Sequence, residues 1–186
     1  RDSFRNMDFL GSGNSLTSYN NIGLRFNGQK DNFVLESEWT LQTSSGTSSN
    51  NDVSANLFSF NLGYKPDGIG FLNSVFIGLD RISGDDSSTE IAEGFSKEFG
   101  ARHKHHGFYD YNLHKKYFGH GHDGLNEINA KASIDILKRT NLLVALHNFR
   151  SAVKNIYYGS EINFILKTKH NDEISSEIGS VFYFPD

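Results

Sequence analysis

Leu125-Asn-Glu-Ile-Asn-Ala-Lys-Ala-Ser-Ile-Asp-Ile136 alternates in residue type along its whole length. Ile128, Ala130, Ala132, Ile134 and Ile136 share one parity; Glu127, Asn129, Lys131, Ser133 and Asp135 share the other. A period of two is a strand period, with one apolar face and one polar face. The same alternation extends outward on both sides. Asn20–Asn27 sets Ile22, Leu24 and Phe26 against Asn21, Gly23 and Arg25, and Asn32–Thr43 sets Phe33, Leu35, Trp39 and Leu41 against Glu36, Glu38, Thr40 and Gln42. Val53–Tyr64 sets Phe58, Phe60, Leu62 and Tyr64 against Ser59, Asn61 and Gly63. Phe71–Ile82 sets Val75, Ile77 and Leu79 against Ser74, Gly78 and Asp80. Downstream, Tyr157–Thr168 sets Ile162, Phe164 and Leu166 against Glu161, Asn163 and Lys167. Ile174–Phe184 sets Ile174, Ile178, Phe182 and Phe184 against Ser175, Glu177 and Gly179. Asn141–Ala152 carries Leu142, Val144 and Leu146 on one face and Leu143, Ala145, His147 and Phe149 on the other, which leaves its facing open. Ser88–Phe99 has room for a helical turn or two but lacks a sustained stripe of period 3.6.

These segments predict an all-β chain of about eight strands, each close to the roughly 9–11 residues of a tilted membrane strand. The connections sort by length. Gly28–Asp31, Lys65–Gly70, Leu137–Thr140 and Lys169–Glu173 are short; Thr43–Asp52 and Ser83–Gly124 are long; Val153–Ile156 is short but falls on the long side. Tight turns at one end and long loops at the other are the pattern of an antiparallel up-and-down transmembrane β-barrel. A Greek-key sandwich has no reason to show it. Residues 1–186 read as a single barrel segment, with 83–124 as a long outer loop that could fold inward and constrict a pore. If Lys169–Glu173 is a periplasmic turn, Asp186 lies outside. An even-stranded barrel with periplasmic termini then needs further strands at both ends, from a larger barrel.

Composition bounds the function. With 18 Lys+Arg against 22 Asp+Glu, a net charge of −4 gives no electrostatic case for nucleic acid. The absence of Cys excludes disulfides and thiolate-bound zinc. A mean hydropathy of −0.49, with no apolar run near the roughly 18 residues of a membrane helix, excludes helical spans. It leaves membrane strands open, because only every second residue need be apolar. Phe 16 and Tyr 8, with Gly 18 and Pro 2, favour strands joined by turns. Trp39, Phe58, Phe60, Tyr64, Phe71, Tyr157, Tyr158, Phe182 and Phe184 fall near strand ends, as an interfacial girdle would.

Four stretches carry a resemblance. Gly78-Leu-Asp80-Arg-Ile-Ser-Gly84-Asp85-Asp86 is followed by Arg102-His103-Lys-His-His-Gly107-Phe108-Tyr-Asp110, then by Asn148-Phe149-Arg150 and Gly159-Ser-Glu161-Ile-Asn163-Phe. In order and spacing they resemble the alginate export family of outer-membrane porins, with its GxDxxSGDD strand end, HxxxGFxD loop and GxExD strand. The likeness covers roughly Val75 to Pro185. Asn163 stands where that family has Asp. The resemblance implies the C-terminal half of a longer porin, one further strand past Phe184, and passage of a solute across an outer membrane.

Candidate pore-lining residues are the polar members of the alternating strands: Arg25, Glu36, Glu38, Asp80, Lys131, Asp135, His147, Arg150, Glu161 and Glu177. They serve either as a selectivity lining or as an ion-pair network across a narrow lumen. Lys131 or Arg150 is the expected partner for Asp80, Asp135 or Glu161. Carboxylates outnumber cations here, which argues against alginate itself as solute. Six of the eight histidines lie between His103 and His122. Within that group, His120-Gly-His122-Asp123 offers imidazole and carboxylate to a transition metal. No HExxH accompanies it, and a polar outer loop accounts for it first, so no metal and no cofactor are expected. Ser83-Gly84-Asp85-Asp86 reads as a turn, without EF-hand spacing. No G-x-S-x-G elbow is present, so no enzyme is expected.

The expectation is an outer-membrane porin of a Gram-negative bacterium, for passive diffusion or export of a hydrophilic solute such as a saccharide. Its partners would be membrane lipid or detergent, the solute, and the remaining strands of the same barrel. The competing classes are a soluble lipocalin-like barrel that binds a small ligand and a non-conducting structural barrel.

Overall fold

The computed structural model describes residues 4–6, 17–44, 52–96, 106–109 and 122–186. Its strands are β1 (Phe4–Asn6), β2 (Thr17–Lys30), β3 (Phe33–Ser44), β4 (Val53–Tyr64), β5 (Leu72–Ile82), β6 (Leu125–Leu137), β7 (Thr140–Arg150), β8 (Tyr157–Lys169) and β9 (Ser175–Pro185). They form one sheet in chain order, every neighbouring pair antiparallel. Eight of the nine are long, and β1 is a three-residue addition at one edge. No helix occurs among the described residues; residues 87–88 form a turn, with Thr89 N–H donating to the Asp86 carbonyl, and Ala92 forms a bridge. The sheet is open: β9 pairs only with β8.

The up-and-down order follows from the turns. Asp31 takes φ 50 in the two-residue turn between β2 and β3, a backbone region that Asp tolerates better than most side chains. The Lys169–Ile174 turn is closed by Asn171, whose Oδ1 accepts from Glu173 N–H and Ile174 N–H. These tight ends leave no length for a crossover, so consecutive strands must pair.

Register then assigns the faces. Ile77 sits between Leu62 and Ala130, and Leu79 between Phe60 and Ile128. That apolar face is the exposed one: Leu24 is 70% exposed, Ile77 59% and Ile128 65%. The opposite face holds Glu38, Ser59, Asp80, Glu127, His147 and Glu161, and there Glu127, Glu161 and Asn163 are at most 1% exposed. Each strand of 11–14 residues, at about 3.3 Å per residue, is long enough to cover an apolar band of about 25 Å when tilted.

A small apolar core closes the long-loop end of the sheltered face. Val53, Ala55, Ile82, Leu125, Phe149 and Tyr158 are contributed by β4 to β8, and Phe95 comes from the loop after β5. The loop is fastened there by its backbone. Ala92 bridges to Val53, with Ser54 N–H donating to Ala92 O and Ala92 N–H to Asp52 O. Gln42 on β3 grips the Ser96 peptide, accepting from its N–H at 2.8 Å and donating to its carbonyl at 3.0 Å.

Candidate functional site

The sheltered polar face is the candidate site, and its centre is a carboxylate with two imidazoles. Glu127 lies at inward parity on β6, beside His147 on β7 and Asp80 on β5. Its Oε2 accepts from His106 Nδ1 at 2.6 Å, and its Oε1 accepts from His147 Nδ1 at 2.6 Å. All of these side chains are buried: His106 7%, His147 4%, Asp80 8%, Glu127 0% exposed. A carboxylate this deep survives only where donors replace its water, and two ring N–H groups do so here. Each ring presents Nδ1 to the carboxylate, and a proton on that nitrogen makes the ring the donor.

His106 does not come from the sheet. It begins a short described segment, 106–109, within the long loop. The rest of that segment docks on β8. Glu161 accepts backbone N–H bonds from Phe108 at 2.6 Å and Tyr109 at 3.1 Å. Gly107 takes φ 79, and a Cβ there would run into the Glu161 carboxylate, so the close approach needs glycine. The Tyr109 ring stacks on Tyr183 of β9 at 4.8 Å. Segment 106–109 is thus held by two buried carboxylates, one for a side chain and one for backbone. Gly107-Phe108 and Gly159-Ser-Glu161, which lie in two of the stretches that carry the sequence resemblance, meet at this contact.

Nine of the ten predicted lining residues have the parity of this face. Arg25 pairs Glu38 across β2 and β3; Glu36 faces Asn61; Lys131 and Asp135 follow Glu127 along β6; Lys167 and Glu177 form an ion pair at 2.9 Å near the short-turn end. Asp80, His147 and Glu161 belong to the buried centre. Arg150 is the exception and corrects the sequence reading. It shares parity with Val144 and Leu146 on the exposed face, beyond a register shift, with its guanidinium 5.5 Å from the Tyr157 ring centre. The ambiguous alternation of β7 hid this, because both of its faces are largely apolar.

The partners also differ from expectation. Glu161 is met by the backbone of Phe108 and Tyr109 and, among the described residues, by no cation. Asp135 accepts from the amides of Asn73 at 2.7 Å and Asn141 at 3.2 Å. His120 lies outside the described residues, as do His103, His105, His114 and Asp110. His122 contributes its carbonyl to Asp85 N–H, and Asp123 pairs with Lys154 at 2.9 Å on the surface. Ser83-Gly84-Asp85-Asp86 works as a turn: Ser83 Oγ donates to Glu93 O, Asp85 accepts from Glu93 N–H, and Asp86 accepts from Ser88 N–H. The Ser88 peptide holds the Asp86 carboxyl below its usual range. Among the girdle aromatics, Tyr158 is buried and its hydroxyl donates to the Gly124 carbonyl.

Four side chains central to the site were passed over as candidates: Glu127, Asn129, Asn163 and Gln42. All four stand at polar parity in the alternating segments, so the signal was present. What singled them out was burial under the loop, which alternation does not encode. No protein-family model matches the chain, nor does any curated protein or solved structure.

Proposed function

We propose that this chain forms wall strands of an outer-membrane channel for hydrophilic solutes, with the loop between β5 and β6 folded inward as a constriction. The observation that carries this reading is the facing of the sheet. Its exposed face is a continuous apolar field running from Ile22 on β2 to Phe184 on β9, and its sheltered face holds the charges and amides. Water-soluble barrels face the other way, with the apolar side in. A patch of that extent in contact with water would be an aggregation surface; against lipid it is the ordinary exterior of a barrel. Strand length, strict up-and-down order, short turns at one end and the resemblance to the alginate export family agree with it.

The solute class follows from the wall. Outside the buried Asp80, Glu127 and Glu161, the inward face carries Glu36, Glu38, Asp135 and Glu177 against Arg25, Lys131, Lys167 and Lys169. Lys167 and Lys169 are already paired with Glu177 and Asp172. Such a lumen favours neutral or cationic hydrophilic solutes, saccharides among them, over polyanions. The test is folding into detergent or lipid vesicles followed by planar-bilayer recording. Discrete conductance steps with a cation preference are expected. A monodisperse monomer without detergent would overturn the membrane reading, and a lipid-dependent fold without conductance would replace the channel with a structural barrel.

A further inference from the structure

We propose that the buried group of Asp80, His106, Glu127 and His147 is a binding site for a divalent transition metal ion of the zinc type. Asp80, His106 and Glu127 each offer a ligand atom, and these lie within 4.8 Å of one another. His147 lies outside that group, on the other oxygen of Glu127 at 2.6 Å, and a shift of its ring towards the group would add a second imidazole. Two nitrogens and two carboxylate oxygens suit zinc and its first-row neighbours. Calcium and magnesium prefer all-oxygen shells, and the chain has no Cys to recruit softer ions.

Two further observations point to a cation. Asp80 and Glu127 are direct cross-strand partners, both buried, so their carboxylates face one another at close quarters on adjacent strands. Like charges so placed are unfavourable in a dry environment, and a divalent ion between them reverses the sign of the interaction. Asn129, 2% exposed, donates Nδ2 to Glu127 Oε1 at 3.2 Å, while its Oδ1 has no hydrogen-bond partner among the described residues. That oxygen lies over Gly78, two residues from Asp80 on β5, and water held on an ion in the group would supply the positive partner it lacks.

Ligand atoms around a tetrahedral zinc with bonds of about 2.0 Å stand about 3.3 Å apart, so the His106 ring would part from Glu127 by about 0.7 Å, the wider separations in the group, up to 4.8 Å, would close, and His147 would turn in to join them. Coordination through Nδ1 requires each ring proton to sit on Nε2, and the divalent ion brings positive charge to the facing carboxylates. Because His106 belongs to the loop and the other three to strands β5, β6 and β7, the ion would clip loop to wall. This site is distinct from His120, His122 and Asp123, and it does not depend on the channel reading, since binding is measured without conductance.

The experiment is zinc titration by calorimetry into the full chain, folded in detergent and stripped with chelator. One ion per chain is expected, with affinity at least tenfold weaker in His147→Gln and in Asp80→Asn. His147 is the discriminating position, because it lies on a strand and outside the histidine-rich stretch. Zinc affinity unchanged in His147→Gln, or no heat in the parent chain, overturns the proposal. Should both variants fail to fold, zinc-edge X-ray absorption of the parent decides. A mixed shell of two imidazoles with carboxylate oxygens is expected, and an all-imidazole shell overturns the site.

Discussion

Ile77→Arg places a guanidinium at the middle of β5, on the exposed face, flanked by Leu62 and Ala130 on the adjoining strands. Two environments give two different magnitudes. If that face meets water, a residue already 59% exposed tolerates the change within about 0.5 kcal/mol, because nothing packs on it. If it meets lipid, an Arg at mid-depth on a barrel strand costs about 2–4 kcal/mol, a shift of about thirty- to several-hundred-fold in the folding equilibrium. The gap between the two exceeds the error of a denaturant titration. The assay is urea unfolding in lipid vesicles, followed by tryptophan emission from Trp39, the one Trp of the chain. Ser59→Arg, at polar parity on β4, serves as the control for adding a guanidinium to a strand. A loss of about 2 kcal/mol or more for Ile77→Arg is expected, and a loss under 0.5 kcal/mol would refute the lipid-facing assignment.

Phe149→Ala removes the largest fully buried side chain of the loop-side core, with an expected loss of about 3–5 kcal/mol in the same unfolding assay; a loss below 1 kcal/mol would mean the cluster is not packed. Gly107→Val adds a β-branched side chain at φ 79 against the Glu161 carboxylate. It should release segment 106–109 and raise single-channel conductance, whereas unchanged conductance would separate the loop from the constriction. Glu36→Gln and Glu38→Gln together remove two inward charges, and reversal potentials in a salt gradient should move towards zero. Reversal potentials that do not move would assign selectivity elsewhere on the wall.

The strands were legible because alternation is a local property. Leu125–Ile136 alone fixes a two-faced strand, and Ile77 or Leu79 needs no tertiary information to be assigned to the apolar side. The turns were legible for the same reason, since Asp31 and Asn171 carry their own chemistry. Which face is sheltered was not legible, because an alternating strand reads identically in a soluble and in a membrane barrel. Nor was the site centre. Glu127 is one of five polar residues at one parity of β6, and only the arrival of His106 from about twenty residues earlier sets it apart. Arg150 was misplaced where local pattern was weakest, on a strand with Leu143, Ala145 and Phe149 opposite Leu142, Val144 and Leu146. A register shift at Phe149/Arg150 adds to that ambiguity.

In the proposed channel a selectivity lining and a structural ion network need not compete, because they would occupy different parts of the wall. On β5 to β8, Asp80, Glu127, His147 and Glu161 are buried, and the carboxylates of Glu127 and Glu161 are taken up by residues 106–109. On β2 and β3, Arg25 and Glu36 are exposed on the polar face, and the one described loop contact is Gln42 with Ser96, at the loop end. Charge that is desolvated and hydrogen-bonded holds segment 106–109; in the proposed channel, charge that remains hydrated acts on a passing solute. Neutralising Glu161 therefore falls on the loop, with two backbone donors losing their ionic acceptor, while neutralising Glu36 falls on ion preference and leaves stability nearly unchanged. The pair of variants divides the two roles. Glu161→Gln should lower unfolding stability by about 1.5–3 kcal/mol for a charged hydrogen-bond acceptor lost in a buried setting, and Glu36→Gln by less than about 0.5 kcal/mol. Equal losses at the two positions would mean that a single network spans the whole face, and the division between loop-holding and solute-facing wall would not stand.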